Sequence, residues 1–169
     1  MKKIILSILI LFHGVVSISY AQDDYKFHSM FVMNFLKYIQ WPESSAQPEF
    51  VIGVLGNETV MPDLERIAST RYVNGKKIIV KRFSDVSKVS DCQLLYIPTP
   101  KSNELAEAIK QVGAGTLIVT AKDGLAQKGS CINFVVRDGK WRFEINEHAT
   151  GKAKLKVSGE LSRLAIMVG

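Results

Sequence analysis

Cysteine, proline and histidine are scarce in this 169-residue sequence, which has two Cys, five Pro and three His. Five Pro and 12 Gly are too few for a fibrous or low-complexity chain. A hydrophobic content of 47% against 22% charged residues excludes intrinsic disorder. Two cysteines are too few for a disulfide scaffold, and a chain this long buries a core without one. Catalytic signatures are missing as well: there is no G-x-S-x-G elbow, no G-x-x-x-x-G-K-[ST] loop and no H-E-x-x-H pair. His28 and His148 have no second His, Cys or carboxylate at i+3 or i+4, so neither starts a zinc pair on one helix. Glu144, Glu147 and His148 cluster locally and read as a solvated helix start; no metal or cofactor is expected. A net charge of +6, scattered along the chain, is too weak a bias for nucleic acid.

The one long apolar run lies at the N-terminus. Lys2 and Lys3 precede the stretch Ile4 to Phe12, and Ser19-Tyr20-Ala21 puts small residues at −3 and −1 of a cleavage site. This is the pattern of a secretory signal peptide, residues 1–21, cut after Ala21. His13, Gly14 and Ser17 interrupt the run, and it falls short of the roughly 20 residues that span a bilayer. No Cys follows the cut to carry a lipid. The expected mature chain is one domain, 22–169, in the periplasm. Removing Lys2 and Lys3 from the 22 basic groups leaves 20 against 16 acidic ones.

Residues Tyr25 to Gln40 read as a helix with Lys26, Ser29, Lys37 and Gln40 on one narrow polar stripe. Its apolar arc is wider than one core contact needs. Either the helix is deeply buried or part of the arc, at Val32, Met33 and Leu36, meets another chain and is partly exposed in the monomer. Trp41-Pro42 should end the helix, because the residue before proline disfavours the α region. Strands then alternate with helices. Strands are expected at Phe50–Leu55, Lys77–Phe83, Gln93–Ile97 and Thr116–Ala121, and helices at Pro62–Ser69 and Ser102–Val112. Near-continuous apolar runs between helices indicate a parallel sheet covered on both faces. Asp138-Gly139 joins Cys131–Val136 to Lys140–Ile145 as a hairpin. Within the second of these strands Trp141, Phe143 and Ile145 should face the core, with Glu144 and Asn146 serving caps and neighbouring backbone. Asn146 and Ser158 are positioned to cap two closing helices, the last with Leu161, Leu164, Ala165 and Val168 as its core face. The expected fold is α/β and Rossmann-like: a single compact domain, mostly parallel sheet with helices on both faces, plus a C-terminal antiparallel hairpin.

In such sheets small molecules sit at the carboxyl ends of the strands, at the switch point. Gly56, Asn57, Thr99, Thr120 and Lys122 would line that rim, although the full dinucleotide fingerprint is missing and a plain strand-to-helix turn is the simpler reading of Gly56-Asn57. In the usual doubly wound order the strands opening with Cys92 and Cys131 flank a third. Two inter-strand steps are about 9.6 Å, beyond the roughly 7 Å that a bridge tolerates between Cα atoms. Two unpaired thiols are therefore expected.

Four motifs occur in order: Phe31, Asn34, Phe35, Lys37, Tyr38 running into Trp41-Pro42; F-V-I-G-V-L-G at Phe50 to Gly56; C-Q-L-L-Y-I at Cys92 to Ile97; and I-N-F-V, then W-R-F-E-I-N at Trp141 to Asn146 with S-x-x-L-x-x-L-A at Ser158 to Ala165. This ordered set resembles the YfiR/HmsC family of periplasmic regulators over roughly Tyr25 to Val168. The resemblance implies a non-catalytic regulator, often a homodimer, that binds the periplasmic part of an inner-membrane diguanylate cyclase and represses it. Cyclic di-GMP synthesis and biofilm matrix production are thereby limited. It also implies redox control through two cysteine pairs, of which this chain carries only Cys92, at a recurring family position, and Cys131. The alternative from the residues alone is a periplasmic small-molecule sensor or binding protein using the strand-end rim.

Overall fold

The computed structural model describes residues 17–42, 47–56 and 59–169. Most of the expected signal peptide, residues 1–16, lies outside the described residues, as does Asn57. The first helix, α1 (Ser17–Tyr38), is followed by β1 (Ile39–Gln40), β2 (Glu49–Leu55), α2 (Met61–Ala68), β3 (Tyr72–Val73) and β4 (Lys76–Phe83). Then come β5 (Leu94–Ile97), a 3-10 segment (Thr99–Glu104) running into α3 (Leu105–Gln111), and β6 (Leu117–Thr120). The last third holds β7 (Ile132–Arg137), β8 (Lys140–Asn146), α4 (Glu147–Lys152), β9 (Lys156–Val157), α5 (Gly159–Leu164) and β10 (Ile166–Val168).

Eight strands form one mixed sheet in the order β10-β8-β7-β6-β5-β2-β4-β3, and β1 pairs with β9 apart from it. The central five strands, β4-β2-β5-β6-β7, are all parallel, as their apolar runs require. Their order is doubly wound, with the switch point between β2 and β5. The β7–β8 hairpin turns at Asp138 (φ 51°) and Gly139 (φ 68°). Both positions need positive φ in the turn that matches strand twist, which Asp-Gly supplies at little cost.

The register sorts the sheet into two faces. Ile52, Leu94, Leu117 and Tyr96 share one face with Ile132, Phe134, Phe143 and Trp141. Against it packs α1: Phe35 lies 5.7 Å from Phe134 and 5.3 Å from Phe143, ring to ring, and Phe27 stacks on Trp141 at 5.8 Å. The other face carries Leu95, Ile97 and Ile118, then turns polar at Thr120, Asn133 and Glu144. Phe143 and Ile145 are buried as the strand alternation predicts, and Trp141 packs partly buried against them. Glu144 and Asn146 are buried too, because the second face is also covered.

Four expectations need correction. The first helix ends at Tyr38, three residues before Trp41-Pro42, because Ile39 and Gln40 give their backbone to β9. The closing helix stops at Leu164, which is 60% exposed rather than core. Beyond Ala165 the chain extends, and Ile166–Val168 pairs in parallel with Glu144–Asn146. Val32 and Leu36 were expected to be partly exposed and are instead buried. They lie on the side of α1 enclosed between sheet and neighbouring helices, and α1 contacts both α2 and α5. The polar stripe is exposed at Lys26, Lys37 and Gln40 as expected but not at Ser29. Ser29 is buried with its hydroxyl donating to the Lys26 carbonyl at 3.0 Å, while Met30 faces solvent. A serine that satisfies itself on its own helix is cheap to bury.

Candidate functional site: a groove beside the first helix

The strand-end rim is built, but its polar groups serve the fold. Thr120 is fully buried, and its hydroxyl lies 2.7 Å from Asn133 Oδ1 and 2.9 Å from Ser130 Oγ. Thr99 is exposed, yet its hydroxyl donates to the Ala121 carbonyl at 2.8 Å. The Gly56 N–H donates to the Phe83 carbonyl at 2.7 Å, under the Lys101 side chain. Lys122 donates its backbone N–H to Asn133 Oδ1 at 3.3 Å and leaves its ammonium in solvent. Thr120 and Lys122 thus meet at Asn133, while Gly56 and Thr99 stand at the ends of separate strands.

Thr120 opens a polar chain that the sequence reading missed, buried as far as Glu144 and reaching the surface at Arg137 and Asp123. Asn133 Nδ2 donates to Glu144 at 3.0 Å, Arg137 donates to Glu144 at 3.1 Å, and Arg137 reaches Asp123 at 2.7 Å. The hydrogen bond from Arg137 holds the Asp123 carboxyl below the ordinary carboxylate range. Strand alternation was the available signal, since it puts Asn133 and Glu144 directly opposite one another on one face. Glu147 and His148 are exposed and stand apart from this chain of bonds. Among the described residues no three His, Cys, Asp or Glu side chains gather as metal ligands.

The two thiols are free and buried. Cys92 precedes β5 and Cys131 precedes β7, with β6 between them, as the doubly wound order predicts. Burial pushes the Cys92 thiol up to about 12 and that of Cys131 to about 11. Neither is a nucleophile near neutral pH.

One of the open features of the surface lies along α1. A groove of about 470 Å³ runs between α1 and the β3–β4 edge of the sheet. Met33 and Leu36 form its α1 wall, and Ile67, Val73 and Ile78 its far wall. Met30, 53% exposed, and Tyr72, 71% exposed, stand on opposite banks. Lys37 and Arg71 are the charged side chains along it, with no carboxylate in the lining. Of the three residues expected at a partner surface, Met33 and Leu36 reach this groove and Val32 does not.

Fold and site together define an α/β protein of doubly wound order whose strand-end polar groups are spent internally and which carries, beside α1, an open groove of mixed apolar and polar lining with a cationic edge. The chain belongs to the YfiR/HmsC-like family, whose model it matches over residues 25–166. That family is regulatory and non-catalytic, and its theme is periplasmic control of cyclic di-GMP signalling together with a membrane signalling partner. A comparison with curated proteins finds no match. No described helix is long and apolar enough to cross a membrane.

Proposed function

We propose that this chain is exported, cut after Ala21, and acts in the periplasm by binding the periplasmic part of an inner-membrane diguanylate cyclase and holding it inactive. The observation that carries the reading is the groove: Met30 and Tyr72 are left in solvent on either side of a trough that mixes apolar residues with Asn34, Asn74 and two cations. Large exposed apolar side chains that border a continuous trough are the signature of a recognition surface. The occupant that fits is an apolar segment flanked by Asp or Glu, because Lys37 and Arg71 line the trough without a carboxylate beside them. β3 lies at the sheet edge, so the segment can also add as a strand.

The test uses the exported protein, whose N-terminus should read Gln22. Wild type should retain a GGDEF-domain membrane protein from solubilised membranes and lower cellular cyclic di-GMP when restored to a deletion strain. Tyr72→Asp, at an exposed position, should keep the melting temperature. It should weaken capture by about 2 kcal/mol, roughly thirtyfold, the scale of an aromatic anchor. Capture and repression equal to wild type in Tyr72→Asp would remove the groove from the mechanism. A concentration-dependent dimer that the same substitution dissociates, with capture intact, would assign the groove to a second copy instead. Recovery of no diguanylate cyclase from membranes would refute the reading as a whole.

A further inference from the structure

A second cavity of about 470 Å³ opens at the opposite end of the sheet from the strand-end rim, where β6 and β7 begin. Its walls are Ile109 and Val112 at the end of α3, Ile118 and Cys131 on the sheet, and Ala149 and Ala153 beside them at α4. The polar side chains set into those walls are already engaged. Thr116 donates its hydroxyl to the Cys92 carbonyl at 2.7 Å. Asn146 donates to the Ala126 carbonyl at 2.8 Å and accepts from the Ala149 N–H at 2.8 Å. The Cys131 thiol stays protonated and behaves as a small apolar group. The lining is therefore apolar in effect.

The mouth differs. Lys128 and Lys152 stand there with Gln127 and His148, all exposed, and no Asp or Glu lines the cavity. Among the described residues neither lysine is in an ion pair. Gly129 forms part of the entrance with φ +103°, and a Cβ on it would come within 3.0 Å of Ile109 Cδ1. A glycine there keeps the way in open.

A cavity of this volume falls in the range of small-molecule sites, about 300–1,000 Å³. An apolar wall with a cationic mouth selects among ligands. A sugar would bury hydroxyls against walls whose polar partners are committed, at a cost for each one. An amine would meet two like charges. We propose that this cavity binds a small monocarboxylate with an apolar body, the carboxylate held at the mouth by Lys128 and Lys152 and the hydrocarbon lying against Ile118 and Ala149. The site shares no lining residue with the groove beside α1. Aliphatic and aromatic acids share this chemistry.

The experiment is calorimetric titration of the exported protein with octanoate and with 3-phenylpropanoate, and with 3-phenylpropan-1-ol as the uncharged control. Methyl NMR of Ile118 and Ala149 reports the place of binding. At least one acid should bind at millimolar concentration or below and shift both methyl signals. 3-Phenylpropanoate should bind tighter than its alcohol by roughly three- to tenfold, the scale of two exposed ion pairs. If only octanoate binds, octan-1-ol takes the place of the control. The double variant Lys128→Gln, Lys152→Gln should erase that preference at unchanged melting temperature. Ile109→Glu, at a mouth residue 38% exposed, should weaken the acid more than the alcohol. The proposal fails if neither acid binds at millimolar concentration. It also fails if acid and alcohol bind alike to wild type, or if binding leaves Ile118 and Ala149 unshifted. The wild-type comparison stands even where a variant does not fold.

Discussion

His28 is 3% exposed and lies inside the aromatic layer under α1. Its ring stacks on Phe134 at 4.2 Å and meets Trp141 edge-on at 4.7 Å, and Nδ1 is 2.9 Å from the Tyr96 hydroxyl. Burial lowers its pKa to about 4, against 6.5 for the unperturbed side chain. The unfolded chain therefore binds the proton more readily between pH 6.5 and 4, and stability contributed by neutral His28 is lost as pH falls through that window. At about 1.4 kcal/mol per pH unit, the loss between pH 7 and 4.5 should reach about 2–3 kcal/mol. His28→Gln keeps a hydrogen-bonding group beside Tyr96 and removes the titration. Urea unfolding of both proteins at pH 7 and 4.5 checks this: wild type should lose that much more than the variant, and equal slopes would show that His28 does not titrate against burial. Nothing at the level of the sequence separates this histidine from a solvent-facing one. Its neighbours Phe27, Met30 and Phe31 are apolar all round, and only the docking of α1 decides which of them is enclosed.

At the scale of elements, Asn146 ties two of them to the segment between β6 and β7. It ends β8, caps α4 through the Ala149 N–H, and holds the Ala126 carbonyl with its amide. The cap was legible, because an Asn before a short helix has one evident task. The second bond was not, since Ala126 is 20 residues away in a connecting segment. Asn146→Ala should cost about 2–3 kcal/mol, one part for the cap and the rest for a buried carbonyl left without a donor. Asn146→Asp keeps an acceptor for the cap but loses the donor to Ala126, and should cost less in the same denaturant titration; equal losses would show that the cap contributes nothing. The end of the chain teaches the same lesson from the other side. Ser158 caps α5 as its position predicts, with its hydroxyl accepting from the Leu161 N–H at 3.3 Å. The helical spacing of Leu161, Leu164 and Ala165 nevertheless gives way at Ala165. Beyond it Ile166 and Val168 satisfy the open edge of β8, a strand far from them in sequence.

For the whole molecule, the strand order keeps Cys92 and Cys131 apart with β6 between them, and both are free. Thiol titration of the denatured, unreduced protein should find two reactive groups per chain, and the native protein should react slowly at both, since each thiol is buried and its pKa raised. A bridge recovered from exported protein would contradict the strand order itself. By itself the sequence determined the α/β class, the parallel strands, the Asp138-Gly139 turn, both side-chain caps and the resemblance that the family match supports. These follow from periodicity and from bonds made within a few residues, which any stretch of chain carries with it. Tertiary structure alone decided that Val32 and Leu36 are core while Met30 faces water, that Thr120 turns inward to Asn133, and that β1 and β10 are strands. It also decided that the open cavities lie beside α1 and under β6 and β7 rather than at the strand-end rim. In each case the deciding partner is distant in sequence, so burial and unpaired backbone at a sheet edge settle what local pattern leaves equal.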